Sequence, residues 1–166
     1  MRFGRGKKTR LPAEMAGLVR GEVLAAAQLR EGGWLVLTPA AVVVIGTGSG
    51  DFERAWHTVD RGEWSSDGNR IQLTWVDGHE PVELQLVHDD RELTDILRGE
   101  VEASLVHAEV ERLPGGGTLR GAIRRDAQGQ LFSQVSVSGR VRRGEDLDQR
   151  VRAMEGRVRA QVGLPQ

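Results

Sequence analysis

The chain of 166 residues contains no cysteine. That absence excludes disulfides, thiol catalysis, Fe–S ligation and the usual structural zinc sites. Long apolar stretches are missing too. The longest uninterrupted run, Ala40 to Ile45, is far short of a membrane span. The N-terminus is basic but lacks the apolar segment of a secretory signal, so the expected location is the cytoplasm. Catalytic signatures are equally scarce, with neither an HExxH pair nor a nucleophile elbow. A chain of this length buries roughly 70% of its unfolded surface, so it needs no disulfide or metal to hold a core.

What is present is a strong segregation of charge behind a net charge of −1. Residues 1–20 carry six Lys/Arg against one Glu, residues 21–113 seven against eighteen acids, and residues 114–166 ten against five. The body is acidic and both ends are basic. Either a basic tail docks on the acidic body, or the basic ends face a shared polyanion.

Residues 1–20 read as a basic N-terminal arm, with a short helix over Pro12 to Val19 that Gly21 ends. Strand signals follow. Val23, Ala25, Ala27 and Leu29 alternate with Leu24, Ala26 and Gln28, and Glu31-Gly32-Gly33 turns the chain. Trp34 to Thr38 and Ala41 to Ile45 form the next pair, with a loop of turn residues from Gly46 to Asp51. Trp56 to Val59 reads as a further strand, which Gly62 to Ser65 either continues past a bulge or follows as a fresh one. Ile71, Leu73 and Trp75 share a face, as do Val82, Leu84 and Leu86, with Asp77-Gly78 as the turn signal between them. Such alternation predicts an antiparallel sheet with one wet face.

The period then becomes helical. Asp89 and Glu92 have capping-box spacing, and Leu93, Ile96, Leu97, Val101, Leu105 and Ala108 make a core-facing stripe. This predicts one long helix over 89–113, ended by Pro114 and three glycines. Residues 118–125 and 130–141 read as a hairpin, with Leu119, Ile123, Leu131, Val135 and Val137 facing inward. A last helix is expected over about 145–162, with acids in its first turn and arginines near its end.

The segments Val23-Leu24-Ala25-Ala26-Ala27, Trp34-Leu35-Val36-Leu37-Thr38, Trp56-His57-Thr58-Val59, Glu63-Trp64, Leu73-Thr74-Trp75-Val76-Asp77-Gly78 and Arg120-Gly121-Ala122-Ile123-Arg124-Arg125 resemble a family of small uncharacterised actinobacterial proteins. The resemblance covers most of residues 20–164. It implies a pleckstrin-homology-like (PH-like) barrel carrying a C-terminal hairpin and helix, and it implies no activity. Eukaryotic PH domains usually hold a tryptophan in the closing helix, whereas residues 89–113 here contain none.

Candidate sites are few. Val42 to Gly50 looks like a strand entering a dinucleotide loop, but no amphipathic helix follows and the glycine run has no Lys-Ser/Thr pair. A phosphoinositide site is disfavoured because the first hairpin offers Arg30 beside Glu31. The histidines are scattered, which gives no metal site. On a continuous helix, Glu100, Ser104 and His107 would lie along one flank of the apolar stripe. No oxyanion element accompanies them, so that flank reads as a polar seam against the hairpin. Arg2, Arg5, Lys7, Lys8 and Arg10 are the candidate polyanion contacts, against the plainer reading of a solubilising tail.

The expectation is therefore an α+β protein: a PH-like antiparallel β-barrel or sandwich over 21–113, closed by a long helix, then a β-hairpin and C-terminal helix over 114–166 packed on it. The expected function is non-catalytic, an interaction or scaffold module for a protein partner, without cofactor or metal. The alternative is association with nucleic acid or an anionic membrane through the basic arm. Self-association is left open.

Overall fold

The computed structural model describes residues 10–65, 67 and 69–166. It is a mixed α+β structure that divides into two compact units, Met1–Val101 and Glu102–Gln166.

The first unit opens with a one-turn helix, α1 (Ala13–Ala16), whose N-cap position is Pro12. Four strands follow: β1 (Ala25–Gln28), β2 (Trp34–Leu37), β3 (Ala41–Ile45) and β4 (Phe52–Ala55). They form an antiparallel sheet in chain order. Because side chains alternate across a strand, β2 and β3 supply both faces of this sheet. Leu35, Leu37, Val42 and Val44 enter the main core, whereas Val36, Ala41, Val43 and Ile45 form a second cluster roofed by Leu11, Met15 and Val19. Every residue of β3 is buried, which is why its sequence is an unbroken aliphatic run and not an alternation. The one-faced pattern expected over Val23 to Leu29 is corrected for the same reason, since Ala26 and Ala27 are both buried, in different clusters.

A 3₁₀ turn (Trp56–Thr58) stands where a strand was expected. It buries Trp56, whose Nε1–H donates to the Thr38 carbonyl at 2.8 Å. A second antiparallel sheet follows, made of β5 (Val59–Ser65), β6 (Arg70–Trp75) and β7 (Val82–Gln85) in that order. Its register shifts between Val59 and Arg61, a bulge that is one of the two alternatives the sequence leaves open for Gly62 to Ser65. Ile71, Leu73 and Trp75 are buried while Arg70 and Gln72 are exposed, so this sheet does have its wet face. The sheets touch at one corner, where Leu29 bridges Leu86 and the Arg30 N–H donates to the Gln85 carbonyl at 2.8 Å. No closed barrel forms among the described residues; the strands of both units lie in three antiparallel sheets. No described helix is long and apolar enough to cross a membrane.

The helix α2 (Arg91–Ser104) starts at Asp90, not at Asp89, because the Asp90 carboxylate accepts the Leu93 N–H at 3.0 Å. Its Leu93 and Leu97 complete the main core. The helix also ends nine residues earlier than 113, the end expected from its apolar stripe, and residues from Leu105 onward turn into strand. That strand, β8 (Leu105–Arg112), joins β9 (Thr118–Arg125) and β10 (Leu131–Ser138) in a three-stranded sheet of order β10-β9-β8. Pro114 to Gly117 are the turn between β8 and β9.

In this second unit α3 (Glu145–Gln161) packs its Met154 and Val158 on Leu119 and Ile123 of β9. The approach is close because the strand carries Gly121 under the helix. A Cβ there would stand 2.6 Å from Met154 Cγ and 2.9 Å from Val158 Cγ1. Leu131 and Val135 help cover this core as expected, but Val137 stays exposed.

Candidate functional site

The polar flank drawn on a continuous helix is not assembled. Ser104 is the last residue of α2, and His107 lies on β8. The Ser104 hydroxyl accepts a hydrogen bond from Nη1 of Arg124 at 3.1 Å, a guanidinium only 1% exposed. His107 Nε2 lies 3.1 Å from Glu109 Oε1, two residues along the same strand. Burial pushes the Glu100 carboxyl above its ordinary value, with no partner charge contributing.

The other sequence candidates fare as follows. Arg2, Arg5, Lys7 and Lys8 lie outside the described residues, and Arg10 is exposed. The glycine loop after β3 is folded around Asp51. Its carboxylate accepts the Gly46 N–H at 3.0 Å, the Thr47 N–H at 2.8 Å and the Thr47 hydroxyl at 2.6 Å. These bonds, led by the Thr47 hydroxyl, hold the Asp51 carboxyl below its ordinary value. The N–H groups that would face a phosphate are thus directed at the chain's own anion, and a strand follows instead of a helix. His79 Nδ1 sits 2.8 Å from Asp77, which also pairs with Arg54 at 3.0 Å; the Arg54 guanidinium stacks 4.4 Å over the Trp75 ring. Among the described residues no group of three or more His, Asp or Glu could hold a metal.

The sequence reading missed the cleft beside β5. This strand is the outer one of its sheet, and its exposed side chains are Arg61, Glu63 and Ser65. Its inward residues, Gly62 and Trp64, lie against α2. Gly62 has to be glycine, because a Cβ would collide with Leu97 Cδ2. Around this contact Gly62, Glu63, Trp64, Ile71, Thr94, Leu97 and Arg98 line a small cavity of about 20 Å³. Trp64 Nε1 is buried and has no hydrogen-bond acceptor. A buried donor left unmet costs about 1–3 kcal/mol, so an acceptor group reaching it is favoured. The Thr94 hydroxyl does not meet it, and donates instead to the Asp90 carbonyl at 2.9 Å. Arg98 is an exposed cation at the rim. A glycine inside a strand next to a tryptophan was the visible signal, as it marks close approach of another element.

The chain matches no family model, no curated protein and no solved structure.

Proposed function

We propose that this protein is a non-catalytic, PH-like interaction module of the cytoplasm whose first unit binds an extended segment of a protein partner along β5. The observation that carries the reading is the Trp64 indole N–H, a buried donor without acceptor in the cleft between an outer strand and α2. An outer strand presents unpaired backbone groups, and an added strand satisfies them while its side chains select the partner. One sheet of four strands, a second of three and a closing helix around a shared core also suit the PH-like reading.

The test is affinity capture from the native lysate with the full chain, in nuclease-treated and untreated halves, using wild type, Trp64→Phe and Glu63→Lys. Trp64→Phe keeps an aromatic ring but removes the donor; Glu63→Lys reverses a charge on the exposed face of β5 and leaves its backbone pairing intact. A stoichiometric protein that survives nuclease and binds both variants about fivefold more weakly at unchanged fold supports the site. Equal retention by all three proteins refutes it.

A second reading rests on the segregated charge, with Arg2, Arg5, Lys7, Lys8 and Arg10 contacting nucleic acid or an anionic membrane. Deletion of residues 1–11 would then abolish a binding that falls steeply with salt.

A further inference from the structure

An outer strand that faces solvent normally turns charge outward and apolar groups inward, and often carries Lys or Pro to discourage pairing. Strand β8 does the reverse. Its α3-facing side holds His107, Glu109 and Glu111, which are half-buried, with Glu111 paired to Arg150 at 2.8 Å and to Arg157 at 2.9 Å. Its other side presents Val106, Ala108 and Val110, all exposed, Val106 at 37% and Val110 at 64%. The only charge on that side is Arg112, at the end of the strand. The row continues an outer edge, since the sheet order is β10-β9-β8.

We propose that this edge pairs with itself: a second copy of the chain adds its β8 antiparallel to the first, joining two three-stranded sheets across a two-fold axis at Ala108. The occupant follows from self-complementarity. Centring the axis on Ala108 sets Val106 of one copy opposite Val110 of the other, twice, on the apolar side. On the polar side the same register sets His107 opposite Glu109 of the second copy, again twice. The neighbouring registers lose this match. Moving the axis to Glu109 places two like charges directly opposite, which is destabilising, and moving it to His107 places two imidazoles opposite. A slip that turns one strand over would set the valines on the ion-paired side. The register shift between Leu105 and His107 twists the start of the strand, so the paired stretch is short. A contact of that length falls below the roughly 1,200 Å² of stable complexes, which makes the association weak and concentration-dependent.

The absence of cysteine supplies a clean test. Across an antiparallel pair, opposite Cα atoms lie about 4.5–5.5 Å apart, within reach of a disulfide. Full-length Ala108→Cys should therefore oxidise to a symmetric dimer under mild conditions, while Arg112→Cys should cross-link at least tenfold more slowly. In parallel, sedimentation equilibrium of the wild type should show a mass rising from 18.2 kDa toward twice that value as concentration increases. Val110→Lys should stay at the monomer mass, and Val137→Lys, which changes an exposed valine of β10, should behave as the wild type. A wild type that stays monomeric at millimolar concentration overturns the proposal. So does a dimer that survives Val110→Lys, one that is lost with Val137→Lys, or equal cross-linking of the two cysteine variants.

Discussion

Adding one methyl group at Gly121 tests whether α3 lies as close to β9 as the structure places it. The new Cβ would meet Met154 Cγ at 2.6 Å, Met154 Sδ at 2.7 Å and Val158 Cγ1 at 2.9 Å. Methionine adapts by rotation, but Met154 is 0% exposed and has nowhere to swing, and Val158 is also 0% exposed and stiff at its first torsion. Overpacking of this kind costs about 1–3 kcal/mol. Removing a glycine from the unfolded ensemble returns about 0.4–1 kcal/mol, so Gly121→Ala should destabilise this unit by roughly 1–2 kcal/mol. The control lies on the same helix. A Cβ at Gly156 meets nothing within 4 Å, and Gly156→Ala should stabilise α3 by about 0.5–1 kcal/mol through helix propensity. All four tryptophans belong to the first unit, so indole fluorescence does not follow this one. Amide hydrogen exchange read by mass spectrometry does. The protected amides of β9 and α3 should exchange about 5–30 times faster in Gly121→Ala and more slowly in Gly156→Ala. Wild-type exchange rates in Gly121→Ala would mean that the helix does not sit on the glycine.

Two further outcomes are expected. Asp90→Ala removes the carboxylate that accepts the Leu93 N–H, and should lower the unfolding free energy of the first unit by about 1 kcal/mol in tryptophan-monitored urea unfolding; Asp89→Ala should leave it unchanged. The second concerns acid. Glu109 is held below the ordinary carboxylate value by its hydrogen bond from His107 and then by Arg157, and Glu111 by Arg150 and then Arg157. A depressed folded value contributes stability above about pH 4.3, the unfolded value, and that contribution is lost as pH falls through the folded value. Amides of α3 should therefore lose protection, relative to their intrinsic exchange rates, as pH drops below about 4. Glu109→Gln with Glu111→Gln should flatten that decline, and an unchanged decline would show that other carboxylates cause it.

The sequence was most legible where one rule governed each residue. Alternation located β6 and β7, turn residues located the hairpin of β9 and β10, and the stripe from Leu147 to Val162 located α3. It was least legible where two periods overlapped. Leu93, Ile96, Leu97 and Val101 satisfy a helix, and Leu105 and Ala108 extend the same spacing, yet Val106, Ala108 and Val110 also alternate as a strand does. The β-branched residues favour the strand, and tertiary pairing with β9 decides the matter. The grouping of Glu100, Ser104 and His107 fell with the helix that carried it. The cleft at Trp64 was hidden for another reason: Gly62 beside Trp64 signals a close approach, but a missing acceptor is not a pattern in a sequence.

The polarity of β8 explains why its alternation read as noise. The apolar stripe of α3 is narrow, and its centre lies over β9 at Gly121. To one side Glu155 and Arg159 reach Ser133 of β10, at 2.8 and 3.1 Å. To the other, Arg150 and Arg157 reach the carboxylates of β8. The sheet beneath α3 is thus apolar along its middle strand, mixed on β10, where Leu131 and Val135 flank Ser133, and polar on β8, which turns acids inward to meet the arginines. Strand geometry then sends every second residue the opposite way. Had those residues been charged, β8 would be a polar strand with a blunted edge, stable alone. They are two valines and an alanine, and the helix above gives no reason for that choice. A strand beside it would.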